Sequence, residues 1–410
     1  MPAGRIRRGL RGGVARELCA CENAQVALRI DPDFVRETLV RLIRIDSTNP
    51  TLVPGAAGEG AIARFVAESL GDCGVPAEIC EPQPGRASVL ARIAGRGDGR
   101  SLMLNAHVDT VGMAGMAEPF SGAVRDGKVY GRGAYDMKGS LAACMAAMKA
   151  LAATPLAGGL VLAAVADEEY GSLGTADILT RVRTDAAIVT EPTGLDICLA
   201  HKGYLWIEVE TRGRAAHGSR FELGIDANLK MGRFLAALAG LERDLRTRPP
   251  HPLVGPPSLH AARLEGGTEL STYAASSRVQ IERRTVPGET VAQAVGEIQA
   301  LVDRLAADDQ EFHAAVLPFF ARQPFEVPAA APIVAVVERA AAAVLGHAPA
   351  RMGDTPWMDA ALLQEAGIPT VVFGPRGAGA HADVEWVDLE SVIQLARILA
   401  ATAAAWCGGE

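Results

Sequence analysis

The stretch that decides the fold is SLMLNAHVDT (residues 101–110), in which an apolar run ends in a histidine and an aspartate two positions apart. Residues 101–106 have the length and composition of a buried β-strand. In open α/β sheets, ligands bind outside the carboxyl ends of the strands, so His107 and Asp109 are positioned to share a site. Taken alone, this segment would favour a structural histidine over a metal ligand.

Three more apolar runs with strand character are followed by an acid or a histidine: 160–166 by Asp167, Glu168 and Glu169; 186–190 by Glu191; and 370–373 by His381. Each of these also has an ordinary interpretation, as a solvated acidic loop or a loop histidine. Four separate strands that end in such residues are better explained by one shared site at that edge of the sheet.

A further acid, Asp136, lies in GRGAYDMKG (residues 131–139), where glycines permit tight turns just before a predicted helix. Its ordinary interpretation is a helix N-cap, because the helix begins shortly afterwards. If Asp136 belongs to the site instead, it is well positioned to bridge two bound ions.

The donors of the predicted site are two imidazoles and three carboxylates: His107, Asp136, Glu169, Glu191 and His381. Nitrogen and oxygen ligands suit a pair of divalent ions, with zinc favoured and cobalt or manganese also accommodated. Two such ions would polarise an amide carbonyl and activate water. Glu168 is then free to take the proton from that water, and Asp109 is the candidate to orient His107 through its second ring N–H.

The composition of the chain indicates which cellular compartment and which classes of binding partner to expect. The formal net charge of −8 provides no basic surface for nucleic acid, and no segment reaches 18 consecutive apolar residues, so we expect neither nucleic-acid binding nor a membrane span. The seven cysteines form no CxxC pair, which argues against a disulfide framework and a thiolate zinc site. Together with the lack of a signal peptide, this predicts a cytoplasmic protein with reduced cysteines.

The 410 residues favour two domains. Residues 31–198 alternate buried strands with helices, which indicates an α/β domain with a mostly parallel sheet and helices on both faces. Residues 199–317 contain half-exposed strands and a long amphipathic helix, which are typical of a smaller α+β domain. Because α/β character returns over residues 318–410, the smaller domain is predicted to be inserted as a lid. Residues 1–30 are predicted to be a disordered tail.

The motifs HVDTV, GRGAYDMKGS, ADEEYGS, EPT, AHGS and GAH occur in this order between about residues 31 and 405. They resemble the metallopeptidase family that includes acetylornithine deacetylase, succinyl-diaminopimelate desuccinylase, glutamate carboxypeptidase and aminoacylases. The resemblance implies one ion held by His107, Asp136 and Glu191, and a second held by Asp136, Glu169 and His381, with Asp136 as the bridge.

The resemblance also implies roles for residues that hold no metal. Glu168 matches the family's general base and later proton donor, and Asp109 matches the acid that orients the metal-bound histidine. The lid would form a homodimer interface, across which His217 would reach the partner's site to hold the scissile carbonyl. Arg284 matches a lid arginine that would clamp a substrate carboxylate. Without the resemblance, His217 and Arg284 would be surface residues.

The expected function is therefore hydrolysis of a small N-acyl amino acid, in the manner of acetylornithine deacetylase. A dipeptidase or carboxypeptidase of the same family is the alternative within this class. A non-catalytic amino-acid-binding protein and a metal storage or sensing protein are alternatives from other classes, and neither would require Glu168. Residues 354–359 are expected to line the far side of the pocket.

Overall fold

A computed structural model of the protein describes residues 29–113 and 115–408. Apart from residues 29 and 30, the predicted N-terminal tail lies outside the described residues. The helices are α1 (Pro32–Arg44), α2 (Gly60–Asp72), α3 (Gly139–Leu151), α4 (Leu173–Arg181), α5 (Ala227–Thr247), α6 (Val291–Asp308), α7 (Pro332–Leu345), α8 (Ala360–Glu365) and α9 (Leu389–Cys407), and a π-helical turn spans Ala134–Lys138.

The strands are β1 (Ala77–Gln83), β2 (Arg86–Ile93), β3 (Leu102–His107), β4 (Ala123–Arg125), β5 (Lys128–Tyr130), β6 (Leu160–Val165), β7 (Ala186–Val189), β8 (Ile197–His201), β9 (Gly203–Arg212), β10 (Ser258–Gly266), β11 (Ser276–Thr285), β12 (His313–Arg322), β13 (Phe325–Glu326), β14 (Arg351–Asp354), β15 (Thr370–Val372), β16 (Gly377–Ala378) and β17 (Trp386–Asp388).

A large sheet carries the strands that the sequence predicts to end at the site. Its order is β1-β2-β6-β3-β7-β15-β8-β13, with β14 paired to β8. The central strands β6, β3, β7 and β15 are parallel, whereas β1, β2 and β13 pair antiparallel at the flanks. Every residue of β3, β6 and β7 is buried, because helices cover both faces of such a sheet. The predicted α/β fold class is confirmed.

A second, antiparallel sheet has the order β10-β11-β9-β12 and forms the smaller domain. With α5 and α6 the chain order is βαββαβ. In β9, buried and half-exposed residues alternate, so that Leu205, Ile207 and Val209 face the helices. This domain has its own hydrophobic core, separate from that of the large sheet, as an α+β insertion requires.

The predicted domain limits remain predictions, and two strands cross them. Strand β8 continues past residue 198 within the large sheet, and β12 stays paired to β9 as far as Arg322, beyond the predicted limit at residue 317. A third, small antiparallel sheet, β16-β17-β5-β4, lies beside the turn that carries Asp136.

Four of the five described cysteines are buried, and Cys73 is half-buried. Cys144 in α3 and Cys198 in β8 are fully buried, and burial raises the pKa of each thiol to about 12. Such thiols are protonated at neutral pH and are poor nucleophiles. Cys19 and Cys21 lie outside the described residues. None of the helices in residues 29–113 and 115–408 is long and apolar enough to cross a membrane.

Candidate active site

The parallel strands bring the predicted site residues to one edge of the large sheet. His107 is the last residue of β3, Glu168 and Glu169 follow β6, and Glu191 follows β7. His381 comes from the loop after β16 and has a left-handed backbone conformation (φ 61°). The positions of His107, Glu168, Glu169 and Glu191 follow from the common direction of β3, β6 and β7, whose carboxyl ends meet at the same edge.

His107 is buried, and one of its ring nitrogens contacts two of the predicted carboxylates. Its Nε2 is 2.9 Å from Oδ1 of Asp136 and 3.5 Å from Oε1 of Glu191. Its Nδ1 is 2.9 Å from the main-chain oxygen of Asp109 and 3.6 Å from Oδ1 of the same residue. The Nε2 atom of His107 therefore faces the cluster, and Nδ1 faces Asp109.

His381 forms a second pair of contacts on the other side of Asp136. Its Nε2 is 3.3 Å from Oδ2 of Asp136 and 3.1 Å from Oε2 of Glu169. Asp136 thus directs one oxygen to each histidine, which is the arrangement expected of a bridging carboxylate. The N-cap interpretation of Asp136 fails, because the N-cap of α3 is Lys138 and no side chain caps it.

The carboxylates of the site crowd one another: Glu191 is buried, and Asp136, Glu168 and Glu169 are half-buried. Burial and the charge of Asp136 raise the pKa of Glu169 to about 7. Burial and the charge of Glu191 raise the pKa of Glu168 well above its usual value, and burial likewise raises the pKa of Glu191 despite the neighbouring His107. Burial opposes ionisation of Asp136 as well, but hydrogen bonds from the two histidines hold its pKa below the usual value.

This donor set fits divalent cations. Ligand atoms of His107, Asp136 and Glu169 lie within 4.8 Å of one another, and so do those of His107, Glu168 and Glu191. Like charges this close and largely removed from water are unfavourable unless cations compensate them. Imidazole and carboxylate donors without a thiolate suit zinc, cobalt and manganese alike.

Asp109 organises the acidic loop behind His107. Its carboxylate is fully buried and accepts hydrogen bonds from the main-chain N–H groups of Glu168 (3.1 Å) and Glu169 (3.2 Å). The side chain of Asn49 donates to Asp109 (2.8 Å) and also to Asp167 (3.0 Å). One carboxylate thereby fixes both glutamates relative to His107.

Glu168 differs from its neighbours in having a free carboxylate. Within the described residues its side chain makes no hydrogen bond or ion pair, although it lines the same cleft as Asp136 and Glu169. A general base needs this combination of access and freedom.

Glu385 is a residue of the site that was not predicted. It is buried and paired with Arg132 (2.8 Å). Its two oxygens also accept hydrogen bonds from the main-chain N–H groups of Gly133 (3.0 Å), Tyr135 (2.9 Å) and Asp136 (3.1 Å). It therefore holds the turn that presents Asp136, from a position 249 residues further along the chain.

The cleft above the carboxylates encloses about 210 Å³. Its walls beyond the predicted ligands consist of Tyr135, Pro192, Asp354, Pro356, Trp357, Met358 and Ala380. The expectation that the segment 354–359 lines the pocket is confirmed for four of its residues, Asp354, Pro356, Trp357 and Met358.

His217 and Arg284 lie apart from this cleft. His217 is exposed in the smaller domain, where its Nδ1 is 2.8 Å from Oγ of Ser219. Arg284 donates to Glu282 (2.7 Å) and stacks over the ring of Tyr204. Neither residue is among those that line the cleft in the described part of the chain, so the roles predicted for them remain predictions.

Comparison with known proteins identifies the class. The family model for peptidase family M20/M25/M40 matches residues 103–405. The chain is 30% identical over 394 residues to an acetylornithine deacetylase from Myxococcus xanthus, covering 92% of this chain and 98% of that one. It is 28% identical over 411 residues to an N-formyl-4-amino-5-aminomethyl-2-methylpyrimidine deformylase from Bacillus subtilis, covering 91% and 95%.

Solved structures share the fold. A tripeptidase from Staphylococcus aureus superposes with a TM-score of 0.76 at 18% identity, covering 92% of this chain and 99% of that one. A dinuclear metal-binding M20 peptidase from Bacillus subtilis superposes with a TM-score of 0.71 at 17% identity, covering 92% of this chain and 99% of that one.

This chain is a metal-dependent hydrolase of amide or peptide bonds. It belongs to peptidase family M20/M25/M40.

Proposed function

We propose that the protein removes the acyl group from a small N-acyl amino acid by hydrolysis of the amide bond, with two divalent ions at the site. The observation that carries this proposal is the position of Asp136 between two histidine–carboxylate pairs, with the free carboxylate of Glu168 beside them. His107, Asp136 and Glu191 would hold one ion, and Asp136, Glu169 and His381 the other. Zinc is the first choice, with cobalt or manganese as substitutes.

Ions bound there would supply the positive charge that polarises the scissile carbonyl and makes a water molecule more acidic. The oxygen of the water molecule attacks the carbonyl carbon, and Glu168 accepts the proton that this water molecule loses. When the C–N bond breaks, Glu168 returns that proton to the departing amine. Asp109 acts indirectly, because it positions His107 and the main chain of both glutamates. In this proposal, His217 from a second subunit stabilises the developing oxyanion, and Arg284 binds the substrate carboxylate.

The choice of an N-acyl amino acid rests on the Myxococcus relative, which is named an acetylornithine deacetylase and aligns over nearly its whole length. Dipeptidase or carboxypeptidase activity is the second candidate, because a tripeptidase and a metallo-carboxypeptidase from Sulfolobus solfataricus have the same fold. At identities below 20%, these structures support the fold rather than the substrate.

A homodimer formed through the smaller domain and a cytoplasmic location are part of the same proposal. All the described cysteines are free, which agrees with a reducing compartment.

The deciding experiment measures amine release from N-acetyl amino acids, N-succinyl amino acids and dipeptides. Metal-free protein is reconstituted with zinc, cobalt or manganese, and metal-free protein kept with a chelator is the control. Metal-dependent release from the acyl amino acids supports the proposal, and release from dipeptides alone favours the second candidate. If no substrate reacts with any metal, a binding protein on the same fold becomes the better interpretation.

A further inference from the structure

Asp354 lines the cleft but has no role in the proposed reaction. It is the last residue of β14 and lines the cleft beside Tyr135 and Trp357. One carboxylate oxygen, Oδ1, accepts a hydrogen bond from the main-chain N–H of Thr355 at 2.7 Å. The carboxylate forms no ion pair within residues 29–113 and 115–408, and Oδ2 accepts no hydrogen bond there.

The charges of the cleft set Asp354 apart from the metal ligands. Five carboxylates line the cleft: Asp136, Glu168, Glu169, Glu191 and Asp354. The first four belong to the two clusters whose ligand atoms lie within 4.8 Å of one another, and Asp354 belongs to neither. Two divalent ions would therefore balance the charge of the four clustered carboxylates and leave Asp354 without a counter-charge.

The surroundings of Asp354 suit a long side chain with a cationic end. Pro356, Trp357 and Met358 form an apolar wall on which methylene groups can pack, and Tyr135 adds a second aromatic ring. The nearby cation Arg322 is already engaged, since it stacks on Trp357 and Phe320 and donates to the main-chain oxygen of Gly171. Asp354 is half-buried, and partial removal from water strengthens its attraction for a cation.

We propose that Asp354 binds the ammonium or guanidinium group of the substrate side chain, so that the enzyme selects N-acyl derivatives of basic amino acids. This inference rests on the proposed deacylation and specifies its substrate class. An acidic side chain would be repelled at the same position, and a neutral one would leave the carboxylate unpaired.

The test compares two isosteric substrates, Nα-acetyl-L-ornithine and N-acetyl-L-norleucine, whose side chains differ by an ammonium group in place of a methyl group. Wild type should prefer the ornithine derivative in kcat/KM by about tenfold or more, the usual effect of a charge-assisted hydrogen bond. Asp354→Asn preserves the shape and the acceptor for Thr355 but removes the charge. It should abolish most of this preference, with little change for the norleucine derivative.

The matched control is Asp98→Asn, which removes an exposed charge in the turn before β3, at the opposite end of that strand from His107. It should behave like wild type with both substrates. Equal kcat/KM for the two substrates, or a preference that survives in Asp354→Asn, would overturn the inference while leaving the deacylation intact.

Binding of the free amino acids L-ornithine and L-norleucine to the zinc-loaded protein, measured by calorimetry, separates the two proposals. If neither acetyl substrate is hydrolysed but ornithine binds in an Asp354-dependent manner, the proposed function fails and the cation subsite stands. If hydrolysis is absent and Asp354→Asn does not weaken ornithine binding, both proposals are overturned.

Discussion

Glu168 and Glu169 are neighbours of the same chemical type, yet their carboxylates have different surroundings. Asp109 holds the main-chain N–H groups of both residues. The side chain of Glu169 contacts His381 at 3.1 Å, whereas that of Glu168 has no partner among the described residues. The same substitution at the two positions should therefore separate proton transfer from metal binding.

Glu168→Gln should lower kcat by about 10²- to 10⁴-fold, the usual range for loss of a general base, while the protein still binds two ions. Glu169→Gln, the matched variant, should bind fewer ions at the same free metal concentration, because it loses a proposed ligand. Initial rates and metal content by elemental analysis check both. A Glu168→Gln protein with wild-type rates would show that another group transfers the proton.

At the level of elements, the turn before α3 is held from a distance. Glu385, just before β17, accepts hydrogen bonds from three main-chain N–H groups of this turn in addition to the side chain of Arg132. Each of its two carboxylate oxygens accepts two hydrogen bonds. An amide in its place would direct an N–H group at donors that have no other acceptor in the described part of the chain.

We therefore expect Glu385→Gln to reduce the free energy of unfolding by about 3 to 5 kcal/mol, as for the loss of one partner of a buried ion pair. Metal affinity should also fall, because Asp136 loses its support. Urea unfolding and calorimetric metal titration measure the two effects. Glu390→Gln, which removes an exposed partner of Arg397, is the control and should change stability by less than about 0.5 kcal/mol.

The contrast between strand ends and this turn explains what the sequence could predict. The buried runs that become β3, β6, β7 and β15 are visible in the sequence because hydrophobicity and length are local properties. Their shared direction then brings the metal-binding candidates together. The role of Glu385 depends on a contact across 249 residues, for which no local pattern exists. The hairpin formed by β1 and β2 was missed although its pairing is local, from Gln83–Arg86 to Ala77–Ala91. Most residues of β1 are exposed, so this strand lacks the buried apolar run by which the other strands were recognised.

At the scale of the whole molecule, the smaller domain has two exposed features, the edge strand β10 and His217. This domain has its own core and includes β10 as an edge strand, whose residues are largely exposed. An uncovered edge strand offers main-chain groups to another chain. His217 is exposed in the same domain and does not line the cleft of its own chain. A dimer in which His217 enters the partner's cleft would account for both features.

Subunit complementation tests this arrangement. His217→Ala and Glu168→Gln should each be nearly inactive as homodimers. In a mixed dimer, the subunit with His217→Ala keeps its own Glu168 and receives His217 from the other subunit, so one site is intact. Random mixing by co-expression should restore about a quarter of wild-type activity, since half of the dimers are mixed and each has one working site. If His217 acts within its own chain, no mixed dimer has a complete site, and the mixture stays as inactive as its parents.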